Sequence, residues 1–156
     1  MTRGLEKNSS ETRMKPLLSP DYRPHDKEDF MNPMQQEYFR QKLLAWKQEL
    51  LRESGETLNH LQEESLSEPD ITDRASLETD RALELRTRDR ERKLIRKIDE
   101  AIKRIEDGTY GYCVETGEEI GIKRLEARPV ATLCVEAQER RERREKQYGD
   151  RDDRYR

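Results

Sequence analysis

The stretch Ile95-Arg96-Lys97-Ile98-Asp99-Glu100-Ala101-Ile102-Lys103-Arg104-Ile105 decides the fold. Its isoleucines step by three, four and three, the spacing of a coiled-coil seam. Every other position but Ala101 is charged. A helix of this kind needs a partner that hides one stripe, and the chain supplies one upstream. From Asn32-Pro33, an N-cap acceptor followed by the residue favoured at the first helical position, Phe39, Leu43, Trp46 and Leu50 step by four, three and four. Leu44, Leu51 and Leu58 recur at sevens, with Leu61 three further on. This predicts an amphipathic helix of about 30 residues, roughly 45–50 Å long. It is broken near Ser65–Asp70, where Pro69 blocks helix continuation. The second helix, with Thr72 or Asp73 as its cap, runs to Asp107-Gly108, glycine being the common helix stop. Two long helices joined by a short turn lie antiparallel.

The composition agrees. Of 156 residues, 43 % are charged and 31 % hydrophobic, against about a quarter and nearly half in an ordinary globule. A large buried enzyme core is thereby disfavoured. The net charge is only −3, which separates the chain from the highly charged disordered class. No apolar run approaches transmembrane length, and Met1–Glu11 lacks a signal-peptide core. The expectation is a soluble, cytoplasmic, mainly α protein. It consists of a long antiparallel coiled-coil hairpin, a small zinc-finger-like globular unit and a C-terminal helix.

Outward from the hairpin (33–108, tip at 68–76), residues 1–32 read as a tail and an arm, with Leu17–Phe30 packing on the larger body. Residues 109–137 form the loop-rich unit, and 138–156 a solvated helix ending near Tyr148-Gly149, then a frayed tail.

Three constellations bear on chemistry. Cys113-Val-Glu-Thr116 and Cys134-Val-Glu-Ala137 occupy the spacing of a four-cysteine zinc site in which two positions, Thr116 and Ala137, are not cysteine. Half the ligands are missing, so no zinc is expected, and Cys113 and Cys134 are expected to touch as reduced thiols. Between Glu63 and Asp80 lie seven acids and one base, Arg74, with Asp70 and Asp73 where the hairpin reverses. Paired carboxylates suit acid–base or Mg²⁺ work, but no nucleophile or histidine lies nearby, so the tip reads as a solvated turn or an acidic surface offered to a macromolecule. Finally, Arg86, Arg90, Lys93 and Lys97 share one helical face, a stripe suited to phosphate or simply to solvent. The isoelectric point near 5.6 argues against direct DNA binding.

These features in this order resemble the DksA family of bacterial transcription regulators. The matching stretches include Asp29-Phe-Met-Asn-Pro33, Asp70-Ile-Thr-Asp-Arg-Ala75, Glu84-Leu-Arg-Thr-Arg-Asp-Arg-Glu-Arg-Lys-Leu-Ile95, Tyr110-Gly-Tyr-Cys113 and Glu119-Ile-Gly-Ile-Lys-Arg-Leu-Glu-Ala-Arg-Pro129. The resemblance spans about residues 28–147. It implies a non-enzymatic regulator whose hairpin enters the secondary channel of RNA polymerase and alters open-complex stability. Ribosomal RNA promoters would be turned down and amino-acid biosynthesis promoters up. Asp70, Asp73 and Ala75 match the family's tip positions. Arg90, Lys93, Leu94, Lys97 and Arg128 match positions that help bind the alarmone guanosine tetraphosphate (ppGpp) at the polymerase interface. The resemblance implies no cofactor beyond this effector, no membrane, and a monomer. Three departures stand out: the two lost cysteines, Gln138 where the family carries a basic residue, and Ile71 where many members carry Pro. The Gln138 departure would weaken alarmone binding by about 1.5–3 kcal/mol if one charge-assisted contact is lost. A Gre-like transcript-cleavage cofactor and a structural coiled-coil adaptor are the alternative readings.

Overall fold

The computed structural model describes residues 15–65 and 71–152. Four helices follow in order: α1 (Pro33–Ser65), α2 (Ile71–Asp107), α3 (Ile122–Ala127) and α4 (Val135–Asp152). The first is fixed where the sequence places it. The Asn32 side chain accepts the Gln35 N–H at 2.9 Å, and the Asn32 carbonyl accepts the Gln36 N–H at 3.0 Å. The second ends on Gly108 at φ 80°, with the Arg104 carbonyl accepting the N–H groups of both Thr109 and Tyr110. It begins at Ile71, ahead of both Thr72 and Asp73, so neither is the cap. First-turn N–H groups have no intrahelical partner in any case, so a helix can start without a side-chain cap.

The hairpin is antiparallel, as its cross-links show. Lys47 Nζ meets Asp99 Oδ1 at 2.6 Å, and Ser54 Oγ donates to Glu91 Oε2 at 2.7 Å, so climbing α1 descends α2. Phe39, Leu43 and Ile98 are fully buried between the helices, and Leu50, Ala101 and Ile105 nearly so. Trp46, Leu94, Ile95 and Ile102 pack at the edge of this core. The heptad Leu44, Leu51, Leu58 is a different face. Leu51 is 52 % exposed and Leu58 39 %. Leu44 and Leu51 each follow a seam residue by one place, hence lie about 100° around the helix, so this part of the expected stripe faces outward.

The arm behaves differently from its sequence as well. Leu17 is 98 % exposed, and the packing comes from Tyr22, Phe30 and Met31 instead. Tyr22 stands edge-on to Tyr38, and Phe30 edge-on to Tyr112. Gly111 (φ 88°) lets the finger backbone close on this arm. A Cβ there would sit 3.0 Å from Met31 Cγ and 3.1 Å from Phe30 Cζ.

The finger unit opens with a turn at Thr116-Gly117, closed by Cys113 N–H to the Glu118 carbonyl at 2.7 Å and Gly117 N–H to the Cys113 carbonyl at 2.9 Å. Tyr112 and Glu119 form an isolated antiparallel bridge. The short helix α3 then buries Ile122 and Leu125, and Lys42 of α1 bonds both the carbonyl and the carboxylate of Glu126 on it. The last helix starts at Val135 and runs to Asp152, longer at both ends than its charge pattern suggests. Its first turn buries Ala137, with the Gln138 N–H on the Cys134 carbonyl at 3.0 Å. No helix among the described residues is long and apolar enough to cross a membrane.

Candidate functional site

Three places along this frame carry the residues singled out above. At the hairpin end, Asp70 lies outside the described residues; Asp73 lies in the first turn of α2, its side chain likewise undescribed, and Ala75 is exposed on the same helix.

The basic stripe runs down α2 toward the finger. Arg90, Lys93 and Lys97 are exposed, and Leu94 is half-buried beside them. Lys93 pairs with Asp89 at 3.0 Å, which holds the Asp89 carboxyl below its usual range. Lys97 and Arg128 come together: both line a cavity of about 190 Å³ where α2, the segment after α3 and the start of α4 meet. Arg90, Lys93 and Leu94 lie above its rim on the helix and do not line it.

Two further cations line the same cavity, Arg104 and Arg124, with Glu100 as the one carboxylate. Both are pinned by the backbone. Arg104 donates to the Tyr112 carbonyl at 2.9 Å, and Arg124 Nε to the Leu133 carbonyl at 3.0 Å. Lys97 and Arg128 have no ion pair among the described residues, so their charge is open to a ligand. Four cations against one carboxylate give the cavity a positive lining, and guanidinium forks suit phosphate oxygens. Arg104 was within reach of sequence reasoning, because it continues the Lys97 face by steps of four and three through Ala101. Arg124 was not, since α3 brings it in from a separate loop. Gln138 also lines the cavity, but its amide donates to Glu142 at 2.9 Å.

The finger thiols are the third place. Cys113 and Cys134 are both free and buried. Thr116 Oγ1 lies 3.9 Å from Cys134 Sγ, and either atom could be the donor. Burial pushes the Cys113 thiol up, but the Thr116 hydroxyl and the backbone N–H groups of Cys134, Thr116 and Glu115 outweigh it and hold it below the ordinary thiol range. A structural zinc site takes four protein donors. Here the four positions offer two sulfurs, a hydroxyl and the methyl of Ala137, which is fully buried. Among the described residues no three His, Cys, Asp or Glu side chains gather as a metal-holding group. The donor set therefore does not fit tetrahedral zinc.

Comparison with known proteins follows the same division of the chain. Residues 35–105 match the family model of the DnaK suppressor protein DksA, N-terminal domain, and residues 108–143 the prokaryotic dksA/traR C4-type zinc finger. A Caulobacter vibrioides protein named RNA polymerase-binding transcription factor DksA is 68 % identical over 130 residues, covering 83 % of this chain and 92 % of its own length. The Escherichia coli K12 protein of the same name is 48 % identical over 126 residues, covering 81 % and 83 %. The solved structure of transcription factor DksA2 from Pseudomonas aeruginosa superposes with a TM-score of 0.72 at 44 % identity, covering 77 % of this chain and 94 % of that one. A hairpin, a finger and an arm in this order, matched through both family models and these relatives, place the chain in the DksA family.

Proposed function

We propose that this chain is a non-enzymatic transcription regulator that binds RNA polymerase, reaches into its secondary channel with the hairpin, and responds there to ppGpp. The observation that carries the reading is the shape of the hairpin. Helices of 33 and 37 residues extend roughly 50 Å or more, and among the described residues the buried core lies in the half nearest the finger. A slender, mostly charged rod that also exposes Leu51, Leu58, Leu83 and Leu85 suits insertion into a protein channel. Relatives named as RNA polymerase-binding transcription factors support the choice of partner.

In this reading Asp70, Asp73 and Ala75 act near the polymerase centre, and the polymerase completes the cavity at Lys97 and Arg128 as an alarmone site. Arg90, Lys93 and Leu94 extend it along α2. The chain acts in the cytoplasm, as a monomer, without reading DNA sequence. The effect is to destabilise open complexes, lowering ribosomal RNA initiation and favouring amino-acid biosynthesis promoters.

The test is a purified transcription assay on a ribosomal-RNA-type promoter. Asp73→Asn keeps the fold and binds core polymerase with wild-type affinity, yet loses inhibition with and without ppGpp. Retained inhibition refutes the tip mechanism. Stimulated RNA cleavage in a backtracked complex supports a Gre-like cofactor instead, and failure to bind core polymerase supports a coiled-coil adaptor.

A further inference from the structure

A second cavity, of about 480 Å³, opens where the arm meets the base of the hairpin. Its walls come from three elements: the arm, the start of α1 and the end of α2. The volume is that of a small-molecule site, and no residue lines both it and the anion cavity. We propose that it binds a small zwitterion with an apolar body, the chemistry of a free α-amino acid such as leucine.

Three observations carry the proposal. The charged lining is balanced: Lys15 and Arg40 stand against Glu37 and Glu106. A bare anion or a bare cation would meet its own sign in the same space, whereas a ligand with both charges finds a partner for each. These groups also divide into engaged and open ones. Glu37 is 6 % exposed, and its carboxylate is filled by Arg40 Nε at 2.8 Å, an Arg40 terminal nitrogen at 2.7 Å and Gln41 Nε2 at 3.1 Å. That grip fixes the Arg40 guanidinium in the cavity wall. Lys15 and Glu106 form no salt bridge among the described residues, so one ammonium and one carboxylate stay open to a ligand. Gln36 donates its amide nitrogen to the Met31 carbonyl at 2.7 Å, which leaves its oxygen as an acceptor. The rest of the lining, Pro16, Pro33 and Ile105, is apolar. The ligand carboxylate meets Lys15 and Arg40, its ammonium meets Glu106 and the Gln36 oxygen, and its side chain lies on the two prolines and Ile105. Such a ligand bridges the arm and both helices, so it stabilises the fold by mass action.

The experiment titrates the full chain with L-leucine, followed by two-dimensional NMR and by thermal unfolding. The expected result is a saturable shift of the Gln36, Arg40 and Glu106 amide signals and a Tm that rises with leucine concentration. Isoamylamine, which lacks the carboxylate, and 4-methylpentanoate, which lacks the ammonium, bind about tenfold more weakly, the scale of one charge-assisted hydrogen bond. Lys15→Gln and Glu106→Gln change exposed positions; both melt like the wild type without ligand and weaken leucine binding by a similar factor. The proposal is overturned by no saturable shift up to the solubility of leucine, by shifts confined to the anion cavity, by either one-charge analogue binding as well as leucine, or by both variants binding it as the wild type does. Nuclear Overhauser contacts from Arg13 or Met14 to the Ile105 methyls in the ligand-free chain overturn it as well, because the chain then fills its own groove. None of these readouts involves polymerase or ppGpp, so their failure is separate from failure of the transcription reading.

Discussion

Tyr110→Phe removes one oxygen at the point where the finger core meets the anion cavity. The ring is 2 % exposed and leans on Phe39 with centroids 5.7 Å apart. Its hydroxyl donates to the Pro129 carbonyl at 2.7 Å. Burial pushes the phenol well above its ordinary range, so it stays protonated and remains a donor at neutral pH. Phenylalanine keeps the ring and its packing but leaves a buried carbonyl without a partner. That omission costs about 1–3 kcal/mol, or roughly 2–4 °C of Tm for each kcal/mol in a chain of this size. Urea and thermal unfolding followed by circular dichroism measure it, with an unchanged m value showing that only stability moved. Pro129 directly follows Arg128, which lines the cavity, so the same change loosens that guanidinium. The ppGpp response falls, though by less than in Arg128→Ala. Stability within about 0.3 kcal/mol of wild type would mean that the hydrogen bond is matched by water in the unfolded chain and that Tyr110 does not brace the cavity.

Glu37 and Gln138 give two further tests. The Glu37 carboxylate is nearly buried and gripped by both Arg40 Nε at 2.8 Å and an Arg40 terminal nitrogen at 2.7 Å, which lowers its pKa below 4.5 against the opposing effect of burial. A carboxyl more acidic folded than unfolded adds stability that is full above pH 4.5 and lost as the pH falls below it. Glu37→Gln therefore flattens the acid limb of a stability–pH curve by up to about 1.4 kcal/mol for each unit of depression; an unaltered limb in urea melts at pH 3–5 refutes the pairing. Gln138→Lys adds a fifth cation to the cavity rim and releases Glu142. Its ppGpp titration in purified transcription shifts to about tenfold lower concentration, as one charge-assisted contact of about 1.5 kcal/mol requires. No shift means that the side chain faces away from the ligand.

How much of this was legible follows from whether each feature is local. Asn32-Pro33 and Gly108 announce helix ends because capping acts within a few residues. The isoleucine seam announces its partner because burial has the period of the helix. Leu51 and Leu58 misled because a spacing of seven marks a helical face without saying which face is inside; Leu50, the residue before Leu51, holds the buried one together with Leu43. The helix α3 has six residues, less than two turns, and is set by Ile122 and Leu125 packing on distant parts of the chain, so no periodicity reports it. The anion cavity was half visible. Lys97 and Arg104 share a face that the sequence displays, while Arg124 and Arg128 reach it only through the folding of the finger against α2.

The placement of these parts also constrains how they communicate. Asp73 and Lys97 lie on one uninterrupted helix, about 36 Å apart at the α-helical rise. The helix between them holds neither glycine nor proline, so nothing in its sequence offers a hinge with two arrangements. At that separation, substitutions at the two places add in their effects on stability. On the proposed function, in which polymerase touches both ends of the rod, any coupling between the tip and the alarmone response therefore arises in that complex and not within the free chain. A double-mutant cycle of Asp73→Asn and Lys97→Ala separates the two: additive in unfolding of the isolated protein, strongly non-additive in ppGpp-dependent transcription. Non-additive unfolding of the free chain would place the coupling inside the hairpin and remove the argument for a passive rod.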